Sequence, residues 1–144
     1  MLDFFKKKPR DKQEERGKQV YAIIPAAGSS RRMGGGNKLV MELGGQPVLC
    51  RTLRIFDKCD VIDGIVLVCR RQDQNTYAAL CADWGINKVM QIVEGGSSRT
   101  HSVLNGVLAC GKQVGYVAIH DAARPLITED IIRATVQCAM QDSA

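Results

Sequence analysis

Four short apolar runs punctuate this chain: VYAII (20–24), GIVLVC (64–69), KVMQIV (88–93) and GYVAIH (115–120). Each is five or six residues long and rich in β-branched side chains, the signature of a strand with both faces buried. Segments of helical period separate them. Pro47 suits a first helical turn, and Val48, Leu49, Thr52, Leu53 and Phe56 behind it form one apolar face. Asp73 is placed to cap a helix running to about Trp84, and Gly85 to close it. Ser97 or Ser98 opens a third helix with Val103, Leu104, Val107 and Leu108 on one side, stopped by Gly111. Thr128 caps a fourth, whose Ile131, Ile132, Thr135 and Val136 follow the acidic Glu129 and Asp130. The order β-α-β-α-β-α-β-α predicts an α/β fold: a doubly wound, mostly parallel sheet with helices on both sides.

At 144 residues the chain has the length of one domain, and neither its 45% hydrophobic nor its 24% charged content departs from globular composition. No apolar run approaches the ~18 residues needed to span a membrane. MLDFF is too short for the apolar core of a signal peptide, so the expected compartment is cytoplasmic. Of the formal charge of +5, residues 1–19 carry +3, and the basic character lies largely in that tail. A tail of this kind can touch nucleic acid or anionic lipid, but a solvated, disordered extension is the expected state of a terminus. Residues 20–144 form the expected folded part. Six cysteines are dispersed without a CxxC pair or a histidine at ligand spacing, which predicts buried reduced thiols and no metal site.

In a doubly wound sheet, ligands bind beyond the carboxyl ends of the strands, near the switch point. The two most unusual loops, PAAGSSRRMGGGNK (25–38) after the first strand and DAARP (121–125) after the fourth, lie at such ends. In the first, Ala26, Ala27, Gly28, Ser29 and Ser30 allow close backbone approach, and successive N–H groups can form an anion-binding concavity. Arg31, Arg32 and Lys38 supply positive charge. A flexible connector would explain the glycines but not three cations beside a run of small residues. Both GxxxxGK[ST] and GxGxxG are absent from this turn, which excludes the two commonest phosphate-loop classes.

PAAG with Arg32-Met33 and a lysine close behind instead resembles the nucleotidyltransferases that join a nucleoside triphosphate to a sugar or polyol phosphate. With EGGSSRTHSVLNG (94–106) and HDAARP (120–125) added, residues 20 to 140 resemble the 2-C-methyl-D-erythritol 4-phosphate cytidylyltransferases of the non-mevalonate isoprenoid pathway. The ribitol-phosphate cytidylyltransferases are close relatives whose loop less often reads DAARP. The resemblance implies a Rossmann-like nucleotidyltransferase fold and transfer of a cytidylyl group from CTP to methylerythritol phosphate, with Mg²⁺ as cofactor. It implies that Ala26, Ala27 and Gly28 line the cytidine site and that Arg32 and Lys38, the catalytic pair, hold the CTP phosphates. Gly96 and Ser102 would contact base and ribose, Asp121 would meet Mg²⁺ and triphosphate, and Ala122 would lie beside the sugar.

Plainer roles stand beside these. Asp121 could be an Asx-turn residue, Ser102 a first-turn helix residue, and Arg124 a loop-shaping residue rather than a substrate contact. His101 is expected to be solvated and His120 to be a structural hydrogen-bonding residue. Ser30 replaces the second glycine that the family often has in the first loop. The family also continues for roughly another third of its length. The resemblance places there a dimerisation arm, residues reaching the acceptor across a homodimer, a late metal-binding acid and a late catalytic lysine. The expectation is therefore an incomplete product, a monomer where the full-length family forms a homodimer, that keeps most CTP contacts and shows little or no turnover. No nucleic-acid partner is expected. A nucleotidyltransferase for another sugar phosphate and a non-catalytic CTP-binding fragment are the two competing readings.

Overall fold

The computed structural model describes residues 18–28, 34 and 36–142. Of the expected disordered tail (1–19), residues 1–17 lie outside the described residues, as does the cation Arg32, while Gln19 already belongs to the first strand. The sheet is four-stranded and parallel, built from β1 (Gln19–Pro25), β4 (Gly64–Cys69), β5 (Val89–Glu94) and β6 (Val114–Ile119) in the order β5-β4-β1-β6. A two-residue antiparallel pair, β2 (Glu42–Leu43) and β3 (Gln46–Pro47), precedes the first helix. The helices are α1 (Val48–Lys58), α2 (Gln74–Asp83), α3 (Arg99–Leu108) and α4 (Glu129–Asp142).

The side chains of β1 and β4 divide by parity, as a pleated strand requires. Val20, Ala22, Ile24, Ile65 and Leu67 pack with residues of α1, α2 and α4, including Leu53, Phe56, Tyr77 and Ile132. Ile23, Val66 and Val68 form a smaller cluster on the other face, under α3. The layers are therefore doubly wound but unequal.

Only the two central strands fit the expectation of strands apolar and buried on both faces. In β5, Met90, Gln91 and Glu94 are exposed, and in β6 Gly115, Val117 and Ile119 are. These two are the edge strands, so each lacks a neighbour on one side, and the runs KVMQIV and GYVAIH contain no feature that separates an edge from a centre.

The expected apolar side of α3 is also corrected. Leu104, Val107 and Leu108 are exposed, and the helix instead buries Ser102 and Gly106. Gly106 sits so close to the sheet that a Cβ there would come 2.5 Å from Ile23 Cγ2 and 3.0 Å from Val68 Cγ2. Backbone proximity, rather than side-chain hydrophobicity, sets which way this helix faces.

Smaller differences have local causes. Asp73 does occupy the cap position of α2, but its carboxylate takes the Arg70 guanidinium (Nε to Oδ2, 2.7 Å) and makes no cap bond. Pro47 precedes α1 rather than opening it, because it also pairs with Glu42 across a tight hairpin. Gly44 and Gly45 supply that turn with two successive positive φ angles, 60° and 75°. Gly85, at φ 64°, closes α2 as expected. Cys50, Cys59, Cys69 and Cys81 are buried, Cys110 is half-buried, and Cys138 is exposed on α4.

Candidate functional site at the carboxyl ends of β1 and β6

The chain runs from β1 outward to β4 and β5, then returns to the opposite side of β1 with β6. The switch point therefore lies between β1 and β6, and the loops after these two strands meet there. Backbone hydrogen bonds fix the loops to the strand ends. Ala26 N donates to Val68 O (2.6 Å), His120 N to Ile23 O (3.1 Å), Ala122 N to Pro25 O (3.1 Å) and Gly95 N to Cys69 O (2.9 Å).

Between them opens a cavity of about 580 Å³. It is lined by Pro25–Gly28, Lys38 and Leu39, Gly96–Arg99, Ser102, and Asp121–Arg124. Every site residue expected from sequence and described in the structure is in this lining: Ala26, Ala27, Gly28, Lys38, Gly96, Ser102, Asp121 and Ala122. Three segments separated by up to about a hundred residues thus converge on one pocket of the size that holds a small ligand.

The first wall is the β1 loop. Ala26 is buried and its N–H is engaged by Val68, so an anion-binding run of N–H groups begins no earlier than Ala27. A Cβ on Gly28 would meet nothing within 4 Å among the described residues. The absent side chain there leaves room for a ligand instead of relieving a clash. Lys38 starts a 3-10 turn whose cap is Asn37, with Oδ1 accepting from Leu39 N (3.1 Å). The Asn37 amide also donates to the Tyr77 hydroxyl (2.9 Å). Burial pushes the Tyr77 phenol above its ordinary pKa. Buried and bonded to both ends of the Asn37 amide, the hydroxyl anchors the lysine-bearing turn. Nothing in the pattern of residues 37 or 77 marks this pair; Tyr77 reads as one more helix residue.

The second wall runs from β5 into α3. Ser98 Oγ caps the helix by accepting from His101 N (3.1 Å), and the exposed His101 ring pairs with Ser97 Oγ (2.9 Å). Ser102 is 3% exposed, and its Oγ accepts from Gly96 N (3.1 Å), which holds the Gly-Gly turn against the helix. Gly95, which the sequence reading passed over, is the tighter of the two toward the β1 loop. A Cβ on it would lie 2.6 Å from Ala27 Cβ. The signal was available in the doublet GG before a helix cap, but only the fold shows which partner demands it.

The third wall is the β6 loop. His120 stacks obliquely on Phe56 (5.3 Å between centroids) and pairs through Nε2 with Arg124 O (2.9 Å), a structural position. Ala122 is buried, and its carbonyl accepts from Thr52 Oγ1 (2.7 Å). Asp121 meets two guanidinium groups. Arg99 donates to Oδ1 through Nε (3.0 Å) and Nη2 (2.9 Å), while Arg124 Nε stands 3.4 Å from Oδ2. Arg99 was not singled out from sequence, because a lone arginine inside SSRTHS carries no pattern of its own.

Asp121 is the one carboxylate among the described lining residues, and the described residues contain no cluster of three or more His, Cys, Asp or Glu able to hold a metal. Lys38, Arg99 and Arg124 outnumber it, so the described lining favours an anionic ligand. A divalent cation would have to be held chiefly by that ligand's own oxygens. Such a donor set suits Mg²⁺, which keeps waters and takes one or two carboxylates plus substrate phosphates.

Comparisons with known proteins agree with this geometry. The family model for IspD, 2-C-methyl-D-erythritol 4-phosphate cytidylyltransferase, matches residues 20–144. The 2-C-methyl-D-erythritol 4-phosphate cytidylyltransferase of Geobacter metallireducens is 41% identical over 138 residues, covering 87% of this chain and 56% of that protein. That of Symbiobacterium thermophilum is 44% identical over 126 residues, covering 87% and 52%. Among solved structures, the 4-diphosphocytidyl-2C-methyl-D-erythritol synthase of Anaerococcus prevotii superposes with a TM-score of 0.74 at 30% identity, covering 89% of this chain and 53% of that one. The chain spans about half the length of the curated relatives it matches. It belongs to the 2-C-methyl-D-erythritol 4-phosphate cytidylyltransferase family.

Proposed function

We propose that residues 20–142 supply the CTP-binding part of a cytidylyltransferase that uses 2-C-methyl-D-erythritol 4-phosphate as acceptor. The observation that carries the reading is the convergence of the β1, β5 and β6 loops on one pocket that is cationic in its described lining, in a chain of this family. An acceptor phosphate oxygen attacks the α-phosphorus of CTP in line. The new P–O bond forms as the α–β bridging P–O bond breaks, and the electron pair leaves on pyrophosphate. That oxygen is already anionic, so no general base is required, consistent with the structural setting of His120.

Phosphoryl transfer asks the protein for position and charge neutralisation rather than covalent chemistry. Lys38, held by the Asn37–Tyr77 anchor, neutralises the triphosphate together with Arg32. The turn at Gly95-Gly96, pinned by Ser102, offers backbone groups to the base and ribose. Mg²⁺, when bound with Asp121, supplies further neutralisation of the leaving group.

Pyrophosphate release is measured with CTP alone and with methylerythritol phosphate or ribitol 5-phosphate as acceptor. Release with methylerythritol phosphate above the other two supports the reading. Release with ribitol 5-phosphate instead overturns the acceptor, and CTP binding with no release from any acceptor limits this chain to a binding role.

A further inference from the structure

Arg99 adds positive charge to the pocket lining, yet its position is one that electrostatics disfavours. It is the first residue of α3, where the helix dipole presents positive charge and an arginine is repelled. No acid stands in that first turn to compensate it. Its partner comes from another element, 22 residues away: both Nε and Nη2 donate to Asp121 Oδ1, at 3.0 and 2.9 Å.

The backbone of Asp121 is set by its own loop. Its carbonyl accepts from Arg124 N (3.2 Å), and Ala122 next to it is tied to Pro25 and Thr52. The side chain is not fixed by these bonds. It is 31% exposed at the pocket wall, and its oxygens meet Arg99 and Arg124. Arg99 holds Oδ1 with two donors, leaving Oδ2 facing Arg124 at 3.4 Å. The same contact joins the start of α3, which carries the Gly96 turn, to the β6 loop.

We propose that Arg99 is a positioning residue, acting on the nucleotide through Asp121 by holding its carboxylate in one orientation and by joining the α3 and β6 walls of the pocket. The proposal rests on the CTP-binding reading of this site. A single ammonium cannot make the two-bond contact, so lysine should restore the function only partly.

The test is a double-mutant cycle on CTP affinity, by calorimetry with Mg²⁺ present, using Arg99→Met, Asp121→Ala and the pair, with Arg99→Lys alongside. Arg99→Met should weaken CTP binding about five- to tenfold in the parent, with Arg99→Lys in between. In the Asp121→Ala background, Arg99→Met should change affinity less than about twofold, because the oxygen it acts through is gone. An equal loss in both backgrounds means that Arg99 touches the nucleotide directly, and it overturns the proposal, as does no loss in the parent. Thermal melts of the four proteins separate these outcomes from misfolding. The side-chain Nε–H resonance of Arg99, which should shift on Asp121→Ala, reports the contact in solution without ligand. If the parent does not bind CTP at all, the underlying reading fails instead, and an unshifted Nε–H resonance would still count against the Arg99–Asp121 contact.

Discussion

Thr52, buried in the middle of α1, donates its hydroxyl to the carbonyl of Ala122 at 2.7 Å, across 70 residues of sequence. One hydrogen bond thus ties the first helix of the core to the loop that carries Asp121. Replacing Thr52 with Val keeps the shape and removes the donor, leaving a buried carbonyl with one partner fewer. The expected cost is about 1–3 kcal/mol in chemical denaturation. Thr52→Ser should recover most of it, and CTP affinity should fall with Val and return with Ser.

Gly106 marks the closest approach of α3 to the sheet. Gly106→Ala must displace Ile23 and Val68, which sit in a packed cluster beneath it. Overpacking of this kind costs about 1–3 kcal/mol, offset by about 1 kcal/mol of helix propensity. Denaturant melts should show a net loss. Gly111→Ala, where a Cβ meets nothing within 4 Å, should be close to neutral.

Ser102→Ala removes the acceptor for Gly96 N–H and should loosen the turn that faces the base. CTP affinity is expected to fall about three- to tenfold, with a stability change near 1 kcal/mol. Gly96→Ala should be worse, since its Cβ would collide with the Cβ of His101 and lie 3.1 Å from the His101 carbonyl carbon. Calorimetry with CTP, compared with thermal melts, separates the two effects.

Burial pushes the Cys69 and Cys81 thiols up to about 11, from an ordinary 9.0. Below pH 9 both folded and unfolded chains keep these thiols protonated, so they place no pH dependence on stability. Between about pH 9 and 11 the unfolded chain loses protons that the folded chain retains, and stability should fall as pH rises. Urea titrations at pH 8, 9 and 10 measure this. A Cys69→Ala, Cys81→Ala chain should show a shallower fall.

The sequence made the fold order and the site legible for different reasons. Strand identity followed from short β-branched runs, and the site from two loops at strand ends whose small and charged residues no structural role explained. The exposed face of α3 was illegible because Gly106, not Leu104 or Leu108, determines how the helix seats. Edge and centre strands look alike in β6 and β4 because strand order is a property of the topology. Lys38 was legible as a cation, yet its support from Asn37 and Tyr77 crosses 40 residues and leaves no local pattern. Arg99 was missed for the same reason.

In the proposed function, the pocket beyond β1 and β6 holds the triphosphate of CTP against Lys38. Titrating CTP into the parent chain and into Lys38→Ala tests it most directly, with ATP as the comparison nucleotide. Saturable CTP binding is expected, at least about tenfold weaker in Lys38→Ala, in line with loss of a charge-assisted phosphate contact, and weaker binding of ATP to the parent. Equal CTP affinity in the two proteins, or ATP binding as tight as CTP, would contradict it.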